Sequence, residues 1–116
     1  MPSSPSADRS ERDFVVVLVT VPDASVGESI AQALLSERLA ACVNRVAGVR
    51  SLFRWQGKLD SADEQLLVVK ARRSALPKVE ARVKQLHPYE VPELLALPVV
   101  AGGAAYLDWL AAETDA

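Results

Sequence analysis

The order of apolar and polar positions divides the chain into segments of two periods. Phe14-Val15-Val16-Val17-Leu18-Val19-Thr20 is an unbroken, largely β-branched run. Such a run predicts a strand in the middle of a sheet, buried on both faces. Pro22-Asp23 ends it. Val26, Ile30, Leu34 and the pair Leu35/Leu39 then recur at helical spacing, which predicts an amphipathic helix. Ser25 with Glu28 three residues on fits a capping box, and Asp23 is a second candidate cap. Gly27 lowers helix propensity, so its presence predicts a close neighbour.

Ala41 to Val46 and Val49 to Trp55 read as one long strand, interrupted at Gly48 by a bulge or bend. Val49, Ser51, Phe53 and Trp55 share one face of it. Gln56-Gly57 fits a two-residue hairpin turn. The return strand begins at Lys58-Leu59 and ends in Leu66-Leu67-Val68-Val69-Lys70. The polar patch Asp60-Ser61-Ala62-Asp63-Glu64 between them predicts a solvated loop or bulge. Ser74 is the expected cap of a second helix, with Pro77 in its first turn. Leu76, Val79, Val83 and Leu86 give its buried stripe, and Pro88 stops it. Residues 93–100 read as a fourth strand. Gly102-Gly103 separates that strand from a last helix carrying Tyr106, Leu107, Trp109 and Leu110.

The resulting order, β-α-β-β-α-β-α, predicts an α+β fold: a ferredoxin-like βαββαβ sandwich with an extra C-terminal helix. Residues 1–13 are rich in Ser, Pro and charge and read as a disordered tail. Residues 14–116 form a single domain. The hairpin strands are too long for so small a sheet, so their tips project with Phe53 and Trp55 exposed. Exposed aromatics on an unpaired edge are a liability unless another chain covers them, which predicts a homo-oligomer.

Composition narrows the function classes. The net charge of -2 offers no electrostatic reason for a nucleic acid or an anionic membrane as partner. No apolar run is long enough to span a bilayer, and the N-terminus lacks the layout of a secretion signal. The single cysteine, Cys42, excludes an intrachain disulfide and suits a reducing compartment, so a cytoplasmic location is expected.

Candidate chemistry concentrates in His87-Pro88-Tyr89-Glu90-Val91-Pro92-Glu93, which holds the only histidine beside two stiffening prolines. A closed zinc site needs four nitrogen or sulfur ligands, and one chain offers only Cys42 and His87. Three copies in an oligomer change that count, and copper(II) favours imidazole and thiolate. The plainer alternatives are a His87 ring that serves the last carbonyls of its helix, and a Cys42 that packs as a small apolar residue. No catalytic constellation and no glycine-rich phosphate loop is legible, so an enzyme is not expected.

Ala40-Ala41-Cys42-Val43-Asn44, Phe53-Arg54-Trp55-Gln56-Gly57-Lys58, the His87–Glu93 segment and Tyr106-Leu107-Asp108-Trp109-Leu110 resemble the signature segments of the CutA divalent-cation tolerance proteins. Val17 to Asp23 resembles that family's opening strand and turn, and the likeness spans roughly residues 14–113. The resemblance implies a tight homotrimer, an architecture like that of the PII signalling proteins, and tolerance of copper and other divalent metal ions. It implies no required cofactor, and Cu(II) or another divalent cation as the bound species. His87 and Cys42 are the metal-site candidates. Some members carry a second histidine and a further cysteine where this chain has Leu86 and Val19. The alternative is a PII-like signalling or scaffold protein that takes a small effector in an intersubunit cleft. By resemblance, Trp55, Lys70, Tyr89 and Glu93 line that cleft; for Lys70 an ion pair across the interface is the plainer role.

Overall fold

The computed structural model describes residues 13–115. The expected tail therefore lies outside the described residues, apart from Asp13. The Asp13 carbonyl accepts from the Arg73 backbone N–H at 2.8 Å, and its carboxylate lies 3.3 Å from the Arg73 guanidinium.

The elements are β1 (Phe14–Val21), α1 (Ala24–Ser36), β2 (Cys42–Trp55), β3 (Lys58–Arg72), α2 (Leu76–Leu86), β4 (Leu95–Pro98) and α3 (Ala104–Glu113). The four strands form one sheet in the order β2-β3-β1-β4, antiparallel at every pairing. With α1 and α2 on one face, this is the expected ferredoxin-like arrangement. Val15, Val17, Val19 and Val21 of β1 and Leu67, Val69 and Ala71 of β3 turn to that face. There they join Ile30 and Leu34 of α1 and Val79 and Val83 of α2 in one buried cluster. Period-two strands meeting period-3.6 helices account for which residues are inside.

Gly27 is buried where α1 crosses the sheet. A Cβ there would sit 3.3 Å from both the Arg45 side chain and Val21, so the predicted close neighbour is present. β2 breaks register between Val46 and Val49, with Gly48 at φ +76°. The hairpin turn places Gln56 and Gly57 both at positive φ, as a type I′ turn requires.

Four local expectations are corrected. The Asp23 carboxylate caps α1 by accepting from Val26 N–H at 2.9 Å. Ser25 lies inside the helix, and Glu28 reaches Arg45 instead at 3.0 Å. The polar patch 60–64 is not a loop: β3 runs unbroken, and the bulge lies in β2, just past the Glu64 end of the patch. A cross-strand partner at every position from Asp60 to Glu64 outweighs the patch's low strand propensity. Ser74 caps nothing, because residues 73–75 form a 3₁₀ turn leading into α2 from Ala75. Pro77 removes one of the orphan donors a cap would satisfy. The fourth strand covers only Leu95–Pro98: Leu94 packs toward the core, and the pairing runs out where β1 begins, with Val99 N–H donating to the Phe14 carbonyl at 3.0 Å.

Two arginines secure α3. Arg72, buried at the end of β3, donates to Thr114 Oγ1 at 2.9 Å and to the Ala111 carbonyl at 2.7 Å. Arg38 donates to the Ala112 carbonyl and pairs with Asp115, both at 2.9 Å. Cations at the carbonyl end of a helix satisfy its unpaired acceptors and complement its dipole. On the sheet face turned away from α1 and α2, Val16, Leu18, Leu66 and Val68 stay partly exposed. The hairpin stretches the subunit to 57 Å, against 27 and 23 Å along the other axes.

Candidate acidic groove

Where the hairpin leaves the body of the sheet, it and the segment after α2 enclose a groove of about 750 Å³. Phe53 and Trp55 line it from β2, Glu64 from β3, and Tyr89 and Glu93 from the connection between α2 and β4. Three of the four residues expected in a cleft, Trp55, Tyr89 and Glu93, therefore meet in one place within one subunit. Lys70 does not join them. It sits further along β3, where its Nζ donates to Asn44 Oδ1 and lies 3.8 Å from Cys42 Sγ.

Pro88 and Pro92 bracket Tyr89, which limits how that segment can move. His87 sets its position. The ring is buried, at 7% exposure. Nε2 lies 2.7 Å from the Thr20 carbonyl, which can only accept, so Nε2 donates. Nδ1 accepts from the Tyr89 backbone N–H at 3.2 Å. The His87 and Tyr89 rings pack with centroids 4.6 Å apart. Neither ring nitrogen keeps a free lone pair for a metal. Cys42 is remote from it. Cys42 pairs with Lys70, and Lys70 with Val16, whereas His87 bonds to Thr20, four residues on along β1. At roughly 3.3 Å per residue that separates them by about 13 Å along the sheet. Among the described residues, no group of three or more His, Cys, Asp and Glu side chains is gathered closely enough to hold a metal ion.

Glu64 is the residue that sequence reasoning missed, having been read as part of a solvated loop. It is 8% exposed, and its Oε2 accepts from the Tyr89 hydroxyl at 2.8 Å. Its signal lay in the hairpin register, which places Glu64 opposite Val49 at the bulge. Its charge is felt around it. The Tyr89 phenol is pushed up to about 12, by burial first, then by the hydrogen bond to Glu64 and the charges of Glu64 and Asp23. Burial, and then the Glu64 charge, also raises the Glu93 carboxyl. Tyr106 on α3 is raised as well, by burial first and then by Cys42.

The raised phenol carries a sign for stability. In the unfolded chain Tyr89 loses its proton near pH 10. Its stabilisation is therefore whole below pH 10 and is lost as pH rises through about 12. Alkaline unfolding should steepen in that window, and Tyr89→Phe should flatten it, leaving only the part due to Tyr106. An ultraviolet titration in which the Tyr89 phenolate appears at its ordinary pH would contradict the buried hydrogen bond.

Fold and site together define a ferredoxin-like subunit with an acidic, aromatic-rimmed groove at the root of a projecting hairpin. Residues 15–113 match the family model of the CutA1 divalent ion tolerance protein, and the chain belongs to that family. The divalent-cation tolerance protein CutA of Thermus thermophilus is 54% identical over 99 residues, covering 85% of this chain and 96% of that protein. Its solved structure superposes with a TM-score of 0.86, covering 88% of this chain and 99% of that one. The chloroplastic protein CutA of Arabidopsis thaliana is 45% identical over 96 residues, covering 83% of this chain. The chain spans about half the length of that plant relative, 53%. A structure described as the periplasmic divalent cation tolerance protein CutA of Archaeoglobus fulgidus is 34% identical with a TM-score of 0.85, covering 88% of this chain and 99% of that one. The Thermus and Archaeoglobus names describe divalent-cation tolerance proteins. Among the described residues no helix is long and apolar enough to cross a membrane.

Proposed function

We propose that the protein acts in divalent-cation tolerance as a homotrimeric sensor or scaffold that takes a small effector in the groove between hairpin and Tyr89. The observation that carries this reading is the placement of Trp55, Tyr89, Glu93 and buried Glu64 around one groove. Its volume lies within the roughly 300–1,000 Å³ range of small-molecule sites. The trimer is supported by the uncovered apolar surface: Leu95 and Leu97 on edge strand β4, Phe53 and Trp55 on the hairpin, and the half-covered second sheet face. A cytoplasmic site of action is supported by free Cys42.

Direct copper ligation by Cys42 and His87 has less support. Both His87 nitrogens are engaged, the two residues lie apart within the subunit, and the Lys70 ammonium beside Cys42 repels an arriving cation. A calorimetric titration of the metal-free protein with copper(II) separates the readings. Only weak heat is expected, unchanged in His87→Ala and Cys42→Ser. Saturable binding at a fixed number of sites per trimer, lost in either variant, would replace the groove with a metal centre.

A further inference from the structure

The connection between α2 and β4, residues 88–94, is held in place by very little. Pro88 and Pro92 have no N–H to give. Among the described residues the segment makes no backbone–backbone hydrogen bond to the rest of the chain. It is fixed at its ends, by α2 before it and by Leu94 against the core after it. Between those ends two hydrogen bonds hold it, and both run through Tyr89. Its N–H donates to His87 Nδ1 at 3.2 Å, and its hydroxyl donates to Glu64 Oε2 at 2.8 Å. A stretch so sparsely bonded opens at a lower free energy than the strands around it.

The backbone half of this hold depends on the charge of one ring. His87 Nε2 donates to the Thr20 carbonyl of β1 at 2.7 Å, so Nδ1 accepts from Tyr89 only while the imidazole is neutral. A proton on Nδ1 would set two N–H donors against each other and leave a cation in a site 7% exposed. The titratable groups around the ring are Tyr89, whose ring packs on it, Glu64 on β3 through the Tyr89 hydroxyl, and Asp23 at the start of α1, whose charge reaches Tyr89. Glu90 and Glu93 follow within the segment itself. These carboxylates would draw an imidazolium away from the Tyr89 N–H. We propose that residues 88–94 form a strap that His87 latches while its ring is neutral and releases when the ring takes up a proton. Release parts the His87 and Tyr89 rings, withdraws the Tyr89 hydroxyl from Glu64 and opens that carboxylate to water. The core between the sheet and the two helices stays closed, because none of its members belongs to the strap except Leu94 at its edge. The inference concerns one wall of the groove and stands whether or not an effector occupies it.

The test takes full-length, ¹⁵N-labelled protein from about pH 8 to about pH 5, the range in which imidazole changes charge. The nitrogen shifts of the His87 ring report the proton. Hydrogen exchange of the Tyr89 amide, corrected for the intrinsic rate at each pH, reports the strap. Tyr89 protection is expected to fall at least about tenfold, the effect of losing one hydrogen bond, with the same midpoint as the ring. The amides of Val17 and Val69 in the core strands should keep theirs. Glu64→Gln and Glu93→Gln should each retain the transition, since neither carboxylate carries the switching proton. His87→Asn should abolish it, because the asparagine oxygen can still accept from Tyr89 but does not titrate. A ring that takes up its proton while the Tyr89 amide stays protected would overturn the latch. So would a ring that stays neutral until the core strands also exchange, or a transition that survives in His87→Asn. Loss of the transition in either carboxylate variant would assign it to that carboxylate and overturn the latch as well. The ring and amide readings on the unsubstituted protein decide the question even where a variant fails to fold.

Discussion

The double variant Phe53→Asp/Trp55→Asp is expected to run as a monomer, with the light-scattering mass falling about threefold from that of the proposed trimer. Both rings lie on the projecting half of β2, 40% and 42% exposed in the single subunit. Burial of an aromatic side chain contributes about 1.5–3 kcal/mol, and a closed trimer gains it at three equivalent interfaces. An aspartate in the same place reverses the sign, because its charge must be desolvated against an apolar partner surface. The subunit itself should stay folded. Its buried cluster lies between the sheet and α1 and α2, away from the hairpin tip, so the far-ultraviolet dichroism should hardly change. An unaltered mass would place the assembly surface elsewhere, with β4 and the second sheet face as the remaining apolar candidates.

Leu67→Ala is expected to remove about 3 kcal/mol of stability, read from the shift in a urea or thermal midpoint. Leu67 is 0% exposed near the middle of β3, with Val19 beside it on β1 and Arg45 beside it on β2. It belongs to the cluster shared by β1, α1 and α2. Truncation there leaves a cavity that two flanking strands and two helices cannot collapse to fill, and the cavity term adds to the lost transfer energy. Below roughly 10 °C of melting-temperature loss, the site would have to be relaxing far more than a close-packed interior does.

Most of the fold was legible because the local and the long-range signals agree. The β-branched run 14–20 became the central strand β1, and Gln56-Gly57 became the hairpin turn. Gly48 marked the bulge, and the stripe Leu76, Val79, Val83, Leu86 faced the core. The errors lie where a local rule met a stronger neighbour. Ser25 looked like a cap, but Asp23 began the helix two residues earlier. Patch 60–64 looked like a loop, but β2 supplied partners along its whole length. The stretch 93–100 looked like a full strand, but only four residues found a ladder.

The candidate site divides in the same way. The prolines around Tyr89 and the lone histidine drew attention to a segment that lines the groove, and the family resemblance grouped Trp55 and Glu93 with it. The role of His87 could not be read, because the Thr20 carbonyl that occupies its Nε2 is 67 residues away along the chain. Nor could that of Glu64, whose burial follows from a phenol 25 residues further on. By itself the sequence determined the element order, the core face of each element and the family, since these rest on periodicity, turn chemistry and contiguous motifs. Only the tertiary structure decided that Lys70 and Cys42 stand apart from Tyr89 and Glu93, and that a carboxylate lies buried between hairpin and loop. Burial and pairing across a sheet depend on which strands become neighbours, a property that no segment carries alone.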